Sequence, residues 1–266
     1  MNNESSSPLA VITGASSGIG LELAKQFAGH GYDLLITSET ERIEHAAVEL
    51  RGSGAKVSTF RADLRTYEGV ESLYQRISSE GRAVDAIAIN AGVGVGGPFL
   101  ENDLQSEIDL IDLNVVSVVH LAKRVLKDMV DRDEGRVLFT ASIAAEMPAP
   151  FEAVYGASKA FVLSFAEALR NELKDTNVVV TALQPGATET NFFHRAGMDD
   201  TKVGSDRKSD PAEVAKLGFE ALMKNKDHVV AAMTKEKVQV ALGQVIPEKI
   251  KAEQHRKISE PGSADR

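Results

Sequence analysis

The 266-residue chain has no cysteine and no tryptophan, and only 5% of its residues are aromatic. Without cysteine there can be no disulfide, no thiolate nucleophile and no cysteine-bearing zinc site, and no metal is expected. Cationic side chains are in deficit, with 30 Lys and Arg against 39 Asp and Glu and a formal charge of −9. No basic stripe gathers to neutralise phosphates, which argues against nucleic acid as a partner. No run reaches the ~18 apolar residues that a membrane span needs. Residues Met1 to Pro8 lack the cationic and then apolar pattern of a signal peptide. The expectation is a soluble, cytoplasmic protein with no membrane partner.

What the chain does have is a regular alternation, without internal repeats or low-complexity tracts in its body. Short runs rich in Val, Ile and Leu fall at Leu9–Thr13, Asp33–Thr37, Lys56–Phe60, Val84–Ile89, Arg136–Thr140 and Val178–Leu183, with a seventh at His228–Ala231. Between them lie segments with helical periodicity, near 18–30, 41–52, 67–80, 101–131, 152–175 and 211–225. Near-continuous apolar strands separated by helices predict a parallel sheet covered on both faces, in one doubly wound α/β domain. Ala153–Leu173 and Leu104–Val130 are apolar almost all round. One face covers the sheet, and the other is expected to meet a second subunit or to serve a larger core within the chain.

The first strand runs into Gly14-Ala-Ser-Ser-Gly18-Ile-Gly20 and then into a helix. Gly14 suits a tight turn, Gly18 lets the backbone approach a diphosphate, and Gly20 allows close packing of helix on strand. The helix N-terminus adds free N–H groups for an anion. The Gly-x3-Gly-x-Gly spacing differs from Gly-x-Gly-x-x-Gly, and no Gly-Lys-Ser/Thr follows to make a P-loop. Farther on, Tyr155 and Lys159 lie one turn apart on a predicted helix, and Ser142 follows a strand. A phenol can protonate a developing alkoxide, but its ordinary pKa of ~10 is high. An ammonium at ~4 Å, at an effective dielectric of ~20, would lower it by roughly three units. Ser142 can donate a hydrogen bond to the same oxygen.

Thr13-Gly14-Ala15-Ser16-Ser17-Gly18-Ile19-Gly20 resembles the cofactor fingerprint of the short-chain dehydrogenase/reductase family. Asp63-Leu64, Asn90-Ala91-Gly92, Asn114, Ser142, Tyr155 with Lys159, and Pro185-Gly186 with Thr190 follow in the family's order, so the likeness spans about residues 8–231. The resemblance implies a Rossmann-type domain with a seven-stranded, mainly parallel sheet, and hydride transfer between NAD(P) and a carbonyl or secondary alcohol. It implies Tyr155 as acid/base, Ser142 orienting the oxygen, Lys159 lowering the tyrosine pKa and touching the nicotinamide ribose, and Asn114 holding a water in a proton relay.

The same resemblance extends to cofactor contacts. It implies that Gly14, Ser16, Ser17, Gly18, Ile19 and Gly20 hold the diphosphate, and that Asp63 accepts from the adenine amino group with Leu64 contributing backbone. Asn90, Ala91 and Gly92 would lie beside the adenosine ribose, and Pro185, Gly186, Thr188 and Thr190 would hold the carboxamide. Ser38 ends the second strand where family members carry Asp for NAD or Arg for NADP. Glu39, one position late, opposes a 2′-phosphate and tilts the reading toward NAD, although Ser38-x-x-Glu41 also matches a capping box and Arg42 or Arg61 could meet a phosphate.

The family's substrate loop corresponds to about Ala187–Ser209, where Phe192, Phe193 and Met198 either close on an apolar substrate or pin the loop to the body. Met147, Pro148 and Phe151 would form the facing wall. The domain is expected to end near residue 231 and to be followed by an extension over 232–266: a helix at Thr234–Ile246, a second at Glu248–Ile258, and a frayed end from Pro261. The outer faces of the two all-round apolar helices make a homodimer or homotetramer the expected assembly. A dinucleotide-responsive protein without catalysis and a reductase of carrier-linked acyl groups are the competing functions, though the acidic charge does not favour docking an acidic carrier.

Overall fold

The computed structural model describes residues 7–234, 236 and 246–265. Seven strands form one sheet: β1 (Leu9–Thr13), β2 (Asp33–Ser38), β3 (Val57–Arg61), β4 (Ala86–Ile89), β5 (Gly135–Thr140), β6 (Val178–Pro185) and β7 (His228–Ala231). Their spatial order is β3-β2-β1-β4-β5-β6-β7, and every neighbouring pair is parallel. The helices between them are α1 (Gly18–Gly29), α2 (Arg42–Arg51), α3 (Tyr67–Ser78), α4 (Leu104–Ile111), α5 (Ser117–Asp131), α6 (Ala153–Glu172), α7 (Phe192–Arg195), α8 (Lys202–Ser205) and α9 (Pro211–Met223). A further helix, Glu248–Ser259, follows.

The pleat sends alternate strand residues to two cores. Leu9, Val11, Leu35, Ile87, Val137 and Phe139 point to the side covered by α3, α5 and α6. Ala10, Ile12, Leu34, Ile36, Ala88 and Leu138 point to the side covered by α1, α2 and α9. Both faces are therefore dry, which is why the strands read as unbroken apolar runs. Chain order reverses between β1 and β4, and the crevice beyond the strand C-termini at such a switch point is where open α/β sheets bind ligands.

The segment read as one helix over 101–131 is interrupted. Asp112–Val116 forms a π-helical turn between α4 and α5, a single-turn widening of the kind found at functional sites. The expected capping box is also absent. Glu41 precedes α2 without a side-chain cap, while the Ser38 hydroxyl donates to Thr40 O and accepts from Thr40 N, at 3.1 and 3.3 Å. Residues assigned to the helix Thr234–Ile246 lie largely outside the described residues. The described residues from Pro261 on are docked rather than frayed. Ser263 is buried, its Oγ accepts from Lys202 N at 2.9 Å, and Gly262 N and Ala264 N donate to Asp200 Oδ2 and O at 2.8 and 3.0 Å. The turn after the last helix returns these amides to the loop, a long-range pairing that no local pattern announces.

Candidate active site

A cleft of about 420 Å³ opens at the switch point. Its floor begins where β1 turns into α1. Gly14 has φ 68°, and a Cβ there would lie 2.9 Å from Ala91 Cα. At Gly20 a Cβ would sit 2.3 Å from Gly14 O, so only glycine lets α1 pack this closely on the turn. Ser17 begins α1 without a side-chain cap, which leaves the first backbone N–H groups of the helix available to an anion.

Hydrogen bonds across the sheet ends stiffen the cleft. Thr13 Oγ1 accepts from Asn90 N and Ala91 N at 2.9 and 3.0 Å, and Asn90 Nδ2 donates back to Thr13 O at 3.1 Å. Thr140 Oγ1 donates to Asn90 Oδ1 at 3.1 Å, so this one amide joins the ends of β1, β4 and β5. Asn114 clamps the next stretch: its Oδ1 accepts from Val93 N at 3.0 Å, and its Nδ2 donates to Val93 O and Ser158 Oγ at 2.9 and 3.1 Å. The π turn carries Asn114 into this buried position behind the cleft wall.

Ser142, Tyr155 and Lys159 all line the cleft. Ser142 precedes a short 3-10 turn, Ile143–Glu146, and its Oγ accepts from Ala144 N at 3.1 Å. On α6, Tyr155 and Lys159 project from the same side, with Lys159 Nζ 5.8 Å from the centre of the tyrosine ring. The Lys159 ammonium donates to Thr140 O at 2.9 Å, and a Cβ on Gly92 would come within 3.3 Å of it. Burial pushes the Tyr155 phenol up, against a hydrogen bond with Ser142 that pulls it down; the Glu152 charge adds to the rise. This is the reverse of the lowering expected from Lys159. The same burial pulls the lysine itself down to about 8, and its hydrogen bond is directed to Thr140.

The other expected residues gather around one opening. Gly14, Ser16, Ser17, Gly18, Ile19 and Gly20 line one end, with Ser38, Asp63 and Leu64 beside them; Asn90, Ala91 and Gly92 run along the centre, and Pro185, Gly186, Thr188 and Thr190 close the far side. Asn114 alone of the expected set does not face the opening. Asp63 is held by Arg65, whose Nε and Nη2 donate to its two oxygens at 2.9 and 2.8 Å, and this guanidinium keeps the carboxyl below its ordinary range. Arg65 also pairs with Glu39 at 3.1 Å. Arg61 pairs instead with Glu41 at 2.9 Å. Glu39 and Arg42 both reach the cleft wall.

In the loop Ala187–Ser209, Phe193 and Met198 are buried, and Phe192 lies against Tyr155 with ring centres 5.1 Å apart. The loop packs on the glycine-rich stretch after β4: a Cβ on Gly94 would fall 2.5 Å from Phe192 Cζ, and one on Gly96 2.3 Å from Met198 Cγ. Met147 lines the cleft as expected. Four other lining residues, Glu152, Glu236, His255 and Ile258, carry no local sign of this role. Three of them belong to the part of the chain after β7, whose approach to the cleft is set by tertiary contacts alone. Glu236 Oε1 accepts from Ala187 N at 3.2 Å.

A strand-end crevice with a glycine turn at one end and a tyrosine, lysine and serine at the other is the arrangement of a dinucleotide-dependent oxidoreductase. The family model for short chain dehydrogenase matches residues 8–201. The oxidoreductase UcpA of Salmonella typhimurium is 32% identical over 222 residues, covering 78% of this chain and 84% of that protein. Among solved structures, a short-chain dehydrogenase from Sphingobium yanoikuyae in complex with NADPH superposes with a TM-score of 0.80 at 28% identity, covering 91% of this chain and 97% of that one. A short chain dehydrogenase/reductase from Burkholderia phymatum in complex with NAD gives a TM-score of 0.82 at 25% identity, covering 98% and 99%. The chain belongs to the short-chain dehydrogenase/reductase family. It is an NAD(P)-dependent oxidoreductase.

Proposed function

We propose that the chain reduces a carbonyl or oxidises a secondary alcohol with Tyr155 as acid/base. The observation that supports this is the meeting of Ser142, Tyr155 and Lys159 in the cleft that begins at the glycine turn. When bound, the dinucleotide supplies or accepts the hydride. Gly14 to Gly20 would hold its diphosphate, Asp63 and Leu64 its adenine, Asn90 to Gly92 its adenosine ribose, and Pro185, Gly186, Thr188 and Thr190 its carboxamide. Ser142 Oγ–H donates to the substrate oxygen, where negative charge develops. Tyr155 gives that oxygen its proton in the reductive direction. In the oxidative direction the same oxygen takes the proton from the alcohol. Asn114 fixes the Val93 backbone opposite and, with Lys159, supports the proton relay.

The cofactor reading is NAD, since Glu39 faces the cleft beside the Asp63–Arg65 pair. Residues 1–231 are read as the dinucleotide-binding and catalytic domain, and 232–266 as a helical extension. A homodimer or homotetramer is supported by the outward side chains of the two apolar helical segments, among them Leu104, 70% exposed, Val116, and Phe161, 41% exposed. A cytoplasmic location is part of this reading; among the described residues no helix is long and apolar enough to cross a membrane.

The decisive substitution is Tyr155→Phe. It should lower turnover of a ketone panel by about a thousandfold, within the range of general acid catalysis, while dinucleotide binding followed by fluorescence persists. Activity within tenfold of wild type would overturn the assignment.

A further inference from the structure

One buried polar cluster faces the cleft without belonging to the set above. Glu152 stands just before α6, three residues ahead of Tyr155, and follows Phe151, whose backbone is left-handed at φ 65°. A non-glycine residue held there costs about 1–3 kcal/mol, and such strain persists only where the surroundings impose it. The helix Glu248–Ser259 brings His255 to Glu152 across 103 residues of sequence. His255 Nε2 lies 3.1 Å from Glu152 Oε2, Ser259 Oγ donates to the same oxygen at 3.0 Å, and Ser259 Oγ and His255 Nε2 are 3.1 Å apart. Glu152, His255 and Ser259 are 5, 6 and 1% exposed.

A carboxylate this deep needs donors for its oxygens. Oε2 has two. Oε1 accepts from none of the described residues, and Glu152 and His255 both line the cleft, whereas Ser259 does not. The same cleft is lined by the apolar side chains Ile143, Met147, Phe192, Phe193 and Ile258. A cluster that only fastened one helix to another would have no need to present a carboxylate to this cleft.

We propose that Glu152, oriented by His255, is a specificity-determining residue that accepts a hydrogen bond from a second donor group on the substrate. The substrate class is then an apolar ketone or secondary alcohol bearing a hydroxyl or ammonium group about one helical turn, ~5–6 Å, from the reacting oxygen. The inference rests on the oxidoreductase reading above. An analogue lacking the donor gives Oε1 no hydrogen bond while displacing solvent from it, and is disfavoured for that reason.

The test is kcat/KM of the full chain with its dinucleotide on methyl propyl ketone and methyl butyl ketone, each with and without a terminal hydroxyl. Wild type should favour the hydroxylated member by at least about tenfold, equivalent to 1.4 kcal/mol. Glu152→Gln should remove most of that preference through KM. His255→Gln should narrow it in the same direction, and it provides the reading if the first variant does not fold. Ser259→Ala should lower the melting temperature and leave the preference intact. Equal kcat/KM within both wild-type pairs, preference surviving in both Glu152→Gln and His255→Gln, or its loss in Ser259→Ala to the same extent would each overturn the proposal. Turnover of neither member of either pair, with dinucleotide binding intact, would instead overturn the oxidoreductase reading beneath it.

Discussion

Lys159 directs its ammonium at the carbonyl of Thr140, the last residue of β5, across 2.9 Å. That bond holds a cation inside the protein where burial has drawn its pKa to about 8, from the ordinary 10.5. A lysine whose folded pKa is depressed costs stability below that value, and the cost vanishes as pH rises through the unfolded value. The expected cost is roughly 3 kcal/mol below pH 8, falling to nothing near pH 10.5. Urea unfolding of wild type and Lys159→Met across this window checks it. Wild type should gain stability relative to the variant as pH rises, and parallel curves would show that the ammonium carries no such cost.

Glu39 and Asp63 share the guanidinium of Arg65 and both line the cleft; on the NAD reading proposed above, this acidic rim opposes a 2′-phosphate. NADH should therefore bind more tightly than NADPH. Glu39→Ala should shift the ratio of the two dissociation constants about tenfold toward NADPH, or 1.4 kcal/mol, by removing one negative charge from the cleft wall while Arg65 stays paired with Asp63. Fluorescence titration of both cofactors measures it, and an unchanged ratio would remove Glu39 from the discrimination.

Ser263 and Asp200 join the end of the described chain to the loop over the cleft. Loss of the Ser263 hydroxyl leaves Lys202 N without its acceptor, so Ser263→Ala should cost about 1 kcal/mol. Deleting 261–266 should cost more and loosen the loop. Thermal melts and amide exchange at Lys202 report on both, and a deletion with the wild-type melting point would restore the frayed end expected from the sequence.

Leu104, Val116, Val119 and Phe161 are exposed on α4, the π turn, α5 and α6. If they meet a second copy, light scattering should show a dimer or tetramer at micromolar concentration. Phe161→Glu should shift it toward monomer, because a desolvated unpaired carboxylate costs several kcal/mol. A wild-type monomer would remove the assembly from consideration.

Much of the fold was legible because the central strands are buried on both sides: Leu9–Thr13 falls where its apolar run places it, and so does the edge strand His228–Ala231, of which only Ala231 is buried. The glycine turn was legible for a local reason, since Gly14 and Gly20 serve contacts within a few residues or with the neighbouring strand end. What the sequence concealed is non-local or register-based. A π turn at Asp112–Val116 changes no residue type, so helical periodicity runs through it unmarked. The meeting of His255 with Glu152 depends on how one helix docks after the whole sheet is built. The upward pull of burial on Tyr155 was not legible because a charge pair was weighed without the desolvation that falls on both partners.

A π turn closes i→i+5 hydrogen bonds and so carries one residue more than the α turn in its place; deleting one residue within Asp112–Val116 would let α4 and α5 run on as one regular helix with their outer faces in phase. What would go is the widening that carries Asn114 to the Val93 backbone, so a variant one residue shorter here would keep its helices and lose that clamp.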